Sequence, residues 1–146
     1  MRVAAQAIVP VPVERVWQRL MMWEDQARWM KDADSVRVLT TEREGVGVRI
    51  SVRTRVLRVP LFTDQLEVTL WDPPRRVVMA HRGFVRGTGE WMLDSVGGGV
   101  LFIWKEDLRL PVSLLGEAAL RIYRPFMRRL MRGSLERLRA LLLGQP

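Results

Sequence analysis

The sequence predicts an α+β fold in which a curved antiparallel sheet wraps around a long carboxy-terminal helix, with two short helices after the first strand. Three observations predict it. Between Ser35 and Asp107 six strand-like segments follow one another through connections of hairpin length, which cannot make parallel crossovers. From Leu114 the apolar period changes to 3.6 and stays there to Leu143. That helix is the only element able to cover the apolar face of the sheet.

The elements follow in order. Arg2–Val9 is rich in β-branched and small residues and reads as a strand. Its apolar character after Arg2 faintly resembles a signal peptide, but the stretch is short, carries Gln6, Pro10 and Pro12, and has no clean cleavage motif. Pro12 suits the first turn of a helix, where its missing N–H has no partner to lose. Val13, Val16, Trp17 and Leu20 continue at helical spacing, and Gln26–Met30 reads as a second short turn. Ser35–Glu44 is a strand and Gly45-Val46-Gly47 a turn. In the next strand Val46, Val48, Ile50, Val52, Thr54 and Val56 alternate with Gly47, Arg49, Ser51, Arg53 and Arg55, which predicts one buried face and one charged, exposed face. Phe62–Leu70 alternates likewise, with Asp64 an exception on the apolar face. Asp72-Pro73-Pro74-Arg75 is a turn, because prolines cannot join a central ladder. Arg75–Arg82, Val85–Ser95 and Val100–Asp107 are strands, the last two joined at Gly97-Gly98-Gly99. Gly87 and Gly89 inside a strand predict a sharp bend or bulge that curls the sheet. In the helix Leu114–Leu143, Leu114, Leu115, Ala118, Ala119 and Ile122 form one stripe. Phe126, Met127, Leu130, Met131, Ser134, Leu138 and Leu141 form a second. Pro125 between them predicts a kink or break.

At 146 residues the chain has the length of one domain, taken here as residues 1–146, and a core that requires no staples. It has no cysteine, which removes disulfides, thiolate metal sites and a cysteine nucleophile, and fits a cytoplasmic location. With His81 the only histidine, a histidine-built zinc site is excluded; no metal and no cofactor are expected. No glycine-rich loop has phosphate-binding spacing, and no serine sits in a nucleophile elbow. No stretch approaches the roughly 20 apolar residues of a membrane span. The net charge is +8, from 24 Lys and Arg against 16 Asp and Glu. Arg128, Arg129, Arg132 and Arg139 share one helix face that can meet phosphates, which keeps peripheral membrane contact open. No aromatic residue interleaves with them, so nucleic acid is not an expected partner.

Assembled in order, the pieces resemble the START/polyketide-cyclase superfamily (SRPBCC), the helix-grip fold of the birch-pollen allergen. The resemblance covers nearly all of the chain. It rests on Val9-Pro10-Val11-Pro12-Val13-Glu14-Arg15-Val16-Trp17, Trp29-Met30, Gly45-Val46-Gly47, Asp72-Pro73-Pro74-Arg75, Gly87-Thr88-Gly89-Glu90-Trp91, the Gly97–Trp104 hairpin and the Pro125–Leu138 helix. It implies a cavity between sheet and helix that holds a hydrophobic ligand such as a lipid, isoprenoid or polyketide. The superfamily hosts several activities, so the fold alone does not select one.

Strand parity turns Asp64, His81 and Glu106 toward the apolar side, where a few polar groups can orient a mostly apolar ligand. The cavity walls are expected from Phe62, Trp91, Phe102 and Trp104, with Ala118 and Ile122 on the helix and the methionines Met30, Met79, Met127 and Met131 as adaptable surface. Trp29 and the Leu108–Leu115 loop are placed at the mouth. The leading expectation is binding or transport rather than catalysis. One alternative is a polyketide cyclase/dehydrase-like enzyme using His81, Asp64 or Glu106 as acid or base. The other is an interaction protein acting through its basic surface.

Overall fold

A computed structural model describes residues 1–56, 58–110 and 113–144. Seven strands form one antiparallel sheet: β1 (Arg2–Val9), β2 (Ala33–Val38), β3 (Arg49–Val56), β4 (Val59–Asp72), β5 (Arg76–Arg82), β6 (Arg86–Val96) and β7 (Gly99–Arg109). The spatial order is β1-β7-β6-β5-β4-β3-β2. Between the two edge strands run α1 (Val13–Leu20), a 3₁₀ turn (Trp23–Asp25) and the one-turn α2 (Gln26–Trp29). The last element, α3 (Ser113–Leu142), packs on β1, β7 and the short helices. The sheet curls as a half-barrel around it.

Alternation decides which side of each strand is buried. Val77 and Met79 of β5, Trp91 and Leu93 of β6, and Phe102 and Trp104 of β7 form the inner face, with Val48 and Ile50 at the start of β3. Arg49 and Arg53 are exposed, as the alternation requires. Arg55 is only half-buried rather than fully exposed: a register shift between Thr54 and Arg55 turns its guanidinium toward Asp34, 3.3 Å away. Val46 departs from the expected face. It sits in the turn before β3 and is 68% exposed, just outside the backbone bonds that tie Gly47 and Val48 to Val68 of β4. That loop is fastened by Trp23, whose indole N–H donates to the Arg43 carbonyl at 2.8 Å. Val56 and Leu114 lie outside the described side chains.

The bend expected at Gly87 and Gly89 is not a bulge, since the β6–β7 register runs unbroken through both. Register shifts fall instead between Ala33 and Ser35, Thr54 and Arg55, and Val68 and Leu70. Each adds local twist, and together they crowd the β2–β4 side of the sheet.

Helix α3 continues through Pro125 as one 30-residue element, so the expected break does not occur. Pro125 is exposed, where water can satisfy the Arg121 carbonyl that loses its partner. Beyond Pro125, Met131, Ser134, Leu135 and Leu138 are buried, while Arg129 and Arg132 are exposed and Arg128 is half-buried. Phe126 and Leu130, expected against the sheet, border a side groove. Before Pro125 the expected stripe is out of phase. Leu115 is 79% and Ile122 81% exposed, and the inward positions are Leu120, Tyr123 and Met127, with the exposed Ala119 at the cavity edge. Ser134 ties α3 to α2: its hydroxyl accepts from the Lys31 N–H at 2.9 Å and donates to the Leu130 carbonyl at 2.8 Å.

Candidate functional site

Between the inner face of the sheet and the first half of α3 lies a cavity of about 430 Å³. Ile50, Phe62, Leu66, Met79, Trp91, Trp104 and Leu108 line it from the sheet. Ala119, Leu120, Tyr123 and Met127 close it from the helix. The exposed Ala119 and Phe84 stand at the rim, Phe84 beside Val85 and Leu110. The volume falls within the roughly 300–1,000 Å³ usual for small-molecule sites.

One polar cluster interrupts this apolar wall. Asp64 on β4, His81 on β5 and Glu106 on β7 come from three strands, at positions that parity turns inward. His81 Nδ1 lies 2.7 Å from Asp64 Oδ2, and Nε2 lies 3.0 Å from Glu106 Oε2. The other Glu106 oxygen accepts from the Trp104 indole N–H at 2.8 Å, and Asp64 Oδ1 accepts from the Gln65 N–H at 3.1 Å. Two carboxylates bridged by one imidazole require a proton on each ring nitrogen. Burial works against that charge, but the hydrogen bonds to Asp64 and Glu106 and their negative charges prevail, and the His81 pKa is raised to about 10. His81 is therefore an imidazolium near neutral pH, with both N–H groups engaged.

Glycine makes this packing feasible. Gly89 pairs with Glu106 across the β6–β7 ladder, and a Cβ there would stand 2.8 Å from Glu106 Oε1. A Cβ at Gly83 would collide with the Asp64 carboxylate.

A second carboxyl group, Asp32, borders the same cavity from the segment between α2 and β2. It is half-buried, and among the described residues it has no ion-pair partner. Burial, followed by the nearby charge of Glu106, raises its pKa to about 6 against a bond from its own backbone N–H. Tyr123 also faces the cavity, its phenol held above the ordinary range by burial and by the Asp32 charge. On its far side Asp32 borders a groove of about 530 Å³ that Lys31, Arg55, Arg58 and Arg137 line.

Of the residues named from the sequence, Phe62, Asp64, His81, Trp91, Trp104 and Glu106 line the cavity. Four do not. Phe102 is fully buried behind Trp91, its ring 6.3 Å from the Trp91 ring. Trp29, placed at the mouth, is fully buried and packs at 5.9 Å from Trp91 and 6.2 Å from Trp104, supporting the wall from behind. Ala118 and Ile122 face solvent because the helix is rotated by about one residue from the expected phase. Of the Leu108–Leu115 loop, residues 111 and 112 lie outside the described residues. Asp32, Tyr123 and Phe84 were missed. Asp32 carried no periodic signal, since it lies in a connection. Tyr123 stands three residues after the buried Leu120 and four before Met127, a helical spacing that marks the true inward face.

A half-barrel sheet closed by one long helix over a lined cavity defines the class: a START/polyketide-cyclase-like, helix-grip ligand-binding domain. The chain belongs to the family described as polyketide cyclase/dehydrase and lipid transport, whose sequence profile matches residues 1–143. Among solved structures it is similar to a protein of Thermus thermophilus at 20% identity, covering 99% of this chain and 98% of that one with a TM-score of 0.81. It is also similar to the Zhui aromatase/cyclase of a Streptomyces species at 16% identity, covering 98% and 93%, with a TM-score of 0.80. A START superfamily protein of Mycobacterium smegmatis matches at 12% identity over 97% and 93%, with a TM-score of 0.69. At these identities the likeness is one of fold. No curated protein matches the sequence. Among the described residues no helix is long and apolar enough to cross a membrane, and no cluster of metal-ligating side chains occurs.

Proposed function

We propose that this protein acts as a single cytoplasmic domain that binds and carries a hydrophobic small molecule in the cavity between sheet and α3. The observation that carries this reading is the state of His81. Both ring nitrogens are committed to carboxylates at 2.7 and 3.0 Å, so the imidazole has neither a free lone pair for a base nor a free N–H for an acid. The cluster is suited to orienting a ligand, and the remaining wall is mostly apolar and aromatic. Trp91 and Trp104 offer ring surface to a planar or alicyclic body. The mostly apolar cavity supports this reading over one in which the basic surface alone carries the function.

The test is binding of a neutral apolar fluorophore, N-phenyl-1-naphthylamine, with native mass spectrometry of freshly purified protein for a co-purified ligand. Saturable binding weakened by Trp104→Ala is the expected outcome. No binding at micromolar concentrations, with no ligand in the mass spectrum, would refute it.

A cyclase/dehydrase reading has one observation in its favour. Asp32 has a pKa of about 6, close to the range in which a group can both take and give a proton at neutral pH. That reading expects turnover of a poly-β-ketone substrate that Asp32→Asn abolishes and His81→Gln does not.

A further inference from the structure

The chain carries 24 lysines and arginines, yet none of them lines the cavity. Its charged lining consists of Asp32, Asp64, Glu106 and His81. His81 as imidazolium cancels one carboxylate of the bridge, which leaves the Asp64–His81–Glu106 cluster at −1. Asp32 adds a second negative charge when ionised, without a cation within ion-pair distance among the described residues. The hydrogen-bonding groups lean the same way, although the Tyr123 and Thr54 hydroxyls in the lining can donate as well as accept. Both His81 N–H groups, the Trp104 indole N–H and the Gln26 amide N–H are already donated, the last to the Leu20 carbonyl at 3.2 Å. Asp32 and the outer lone pairs of Asp64 and Glu106 remain as acceptors. Such a wall rewards a ligand that donates hydrogen bonds, most of all one that brings a positive charge. It penalises one that brings a negative charge, because like charges repel more strongly beside an apolar wall than in bulk water.

We propose that the cavity takes apolar molecules ending in a protonated amine, seated at Asp32 and facing the Asp64–His81–Glu106 wall, and excludes fatty carboxylates and phosphates. The proposal rests on the binding reading above. The raised pKa of Asp32 is consistent with it, since a half-buried carboxylate that lacks a cation becomes easier to ionise when a ligand supplies one. The selectivity also runs against the surface field. A protein of net charge +8 attracts anions from solution, so a preference for cations has to originate inside the cavity. The cations Lys31, Arg55, Arg58 and Arg137 lie on the other side of Asp32, around the side groove, where they would attract an anion away from the cavity.

The experiment uses the full chain at pH 7.5 with N-phenyl-1-naphthylamine bound, and measures its displacement by decylamine, decanol and decanoate below their micellar concentrations. These share one tail and differ only in the head. Decylamine should displace the probe at roughly tenfold or more lower concentration than decanoate, with decanol between, on the scale expected for one enclosed charge pair. Asp32→Asn should bring the amine and the carboxylate to within about twofold to threefold of each other, whereas Glu117→Gln, on the exposed face of α3, should leave the ratio unchanged. Equal displacement by amine and carboxylate, stronger displacement by decanoate, or a ratio that survives Asp32→Asn would overturn the proposal while leaving the cavity a binding site. Failure of the probe and of all three competitors to bind, the latter followed by titration calorimetry, would overturn both readings together.

Discussion

Replacing Asp32 by asparagine should make the protein more stable at neutral pH, and the size of the effect follows from its surroundings. The carboxyl group ionises at about 6 in the folded chain and near 3.8 when free, chiefly because burial strips it of water and secondarily because Glu106 is negative. A folded pKa raised above the unfolded one means that the folded state holds the proton more tightly. Its contribution is therefore fully present below about pH 4 and lost as pH rises through about 6. Two units correspond to roughly 3 kcal/mol at pH 7, an upper figure because Asp32 retains some accessible surface. Asparagine carries no charge, and its carbonyl can still accept the bond from the residue's own backbone N–H. Urea unfolding of both proteins at pH 4 and pH 7 measures the difference directly. Asp32→Asn should gain up to about 3 kcal/mol at pH 7, or roughly 6–10 °C in midpoint, and little at pH 4. Equal stabilities at pH 7, or a gain of the same size at both pH values, would refute the assignment of Asp32 as a half-buried charge without a cation partner. A gain in stability joined to a loss of amine binding is the pattern of a residue retained for function.

Three further outcomes follow from the carboxylate–histidine cluster. Since the His81 pKa is raised from 6.5 to about 10, its stabilisation is complete below about pH 6.5 and is lost as pH rises through 10; alkaline unfolding curves should show up to about 5 kcal/mol disappearing over that window. His81→Gln leaves Asp64 and Glu106 facing each other without a cation and should cost roughly 3–5 kcal/mol, whereas the triple change Asp64→Asn, His81→Gln, Glu106→Gln should cost less, as denaturant titration would reveal. Gly89→Ala places a methyl group within 2.8 Å of Glu106 Oε1 and should cost about 1–3 kcal/mol, with a shift in tryptophan emission as the bond to Trp104 is disturbed; unaltered emission and stability would mean that Glu106 moves freely.

The chain itself determined the parts of this protein that depend on local alternation and chain punctuation. The antiparallel sheet, its seven strands and the single closing helix follow from period-two runs, turn glycines and prolines, and the change to period 3.6 after the last strand. The same parity turned Asp64, His81 and Glu106 inward, because a strand offers only two faces and their neighbours Leu66, Met79 and Trp104 fix which is buried. Three matters were decided only by tertiary packing. The phase of α3 before Pro125 was misread because the strongly hydrophobic Leu115 and Ile122 face solvent, while Leu120 and Tyr123 turn inward. A helix offers a continuum of faces, and contact with β1 and β7 selects one. Asp32 was invisible for a different reason. It belongs to a connection with no period, beside Lys31, whose N–H donates to Ser134 of α3 at 2.9 Å. The bridging of two carboxylates by one imidazole likewise required the register that sets Leu66 against His81, and Gly89 between His81's strand and Glu106. Sequence can turn a side chain toward a face, but only pairing across strands decides which charges meet, and here that pairing sets the charge of the cavity.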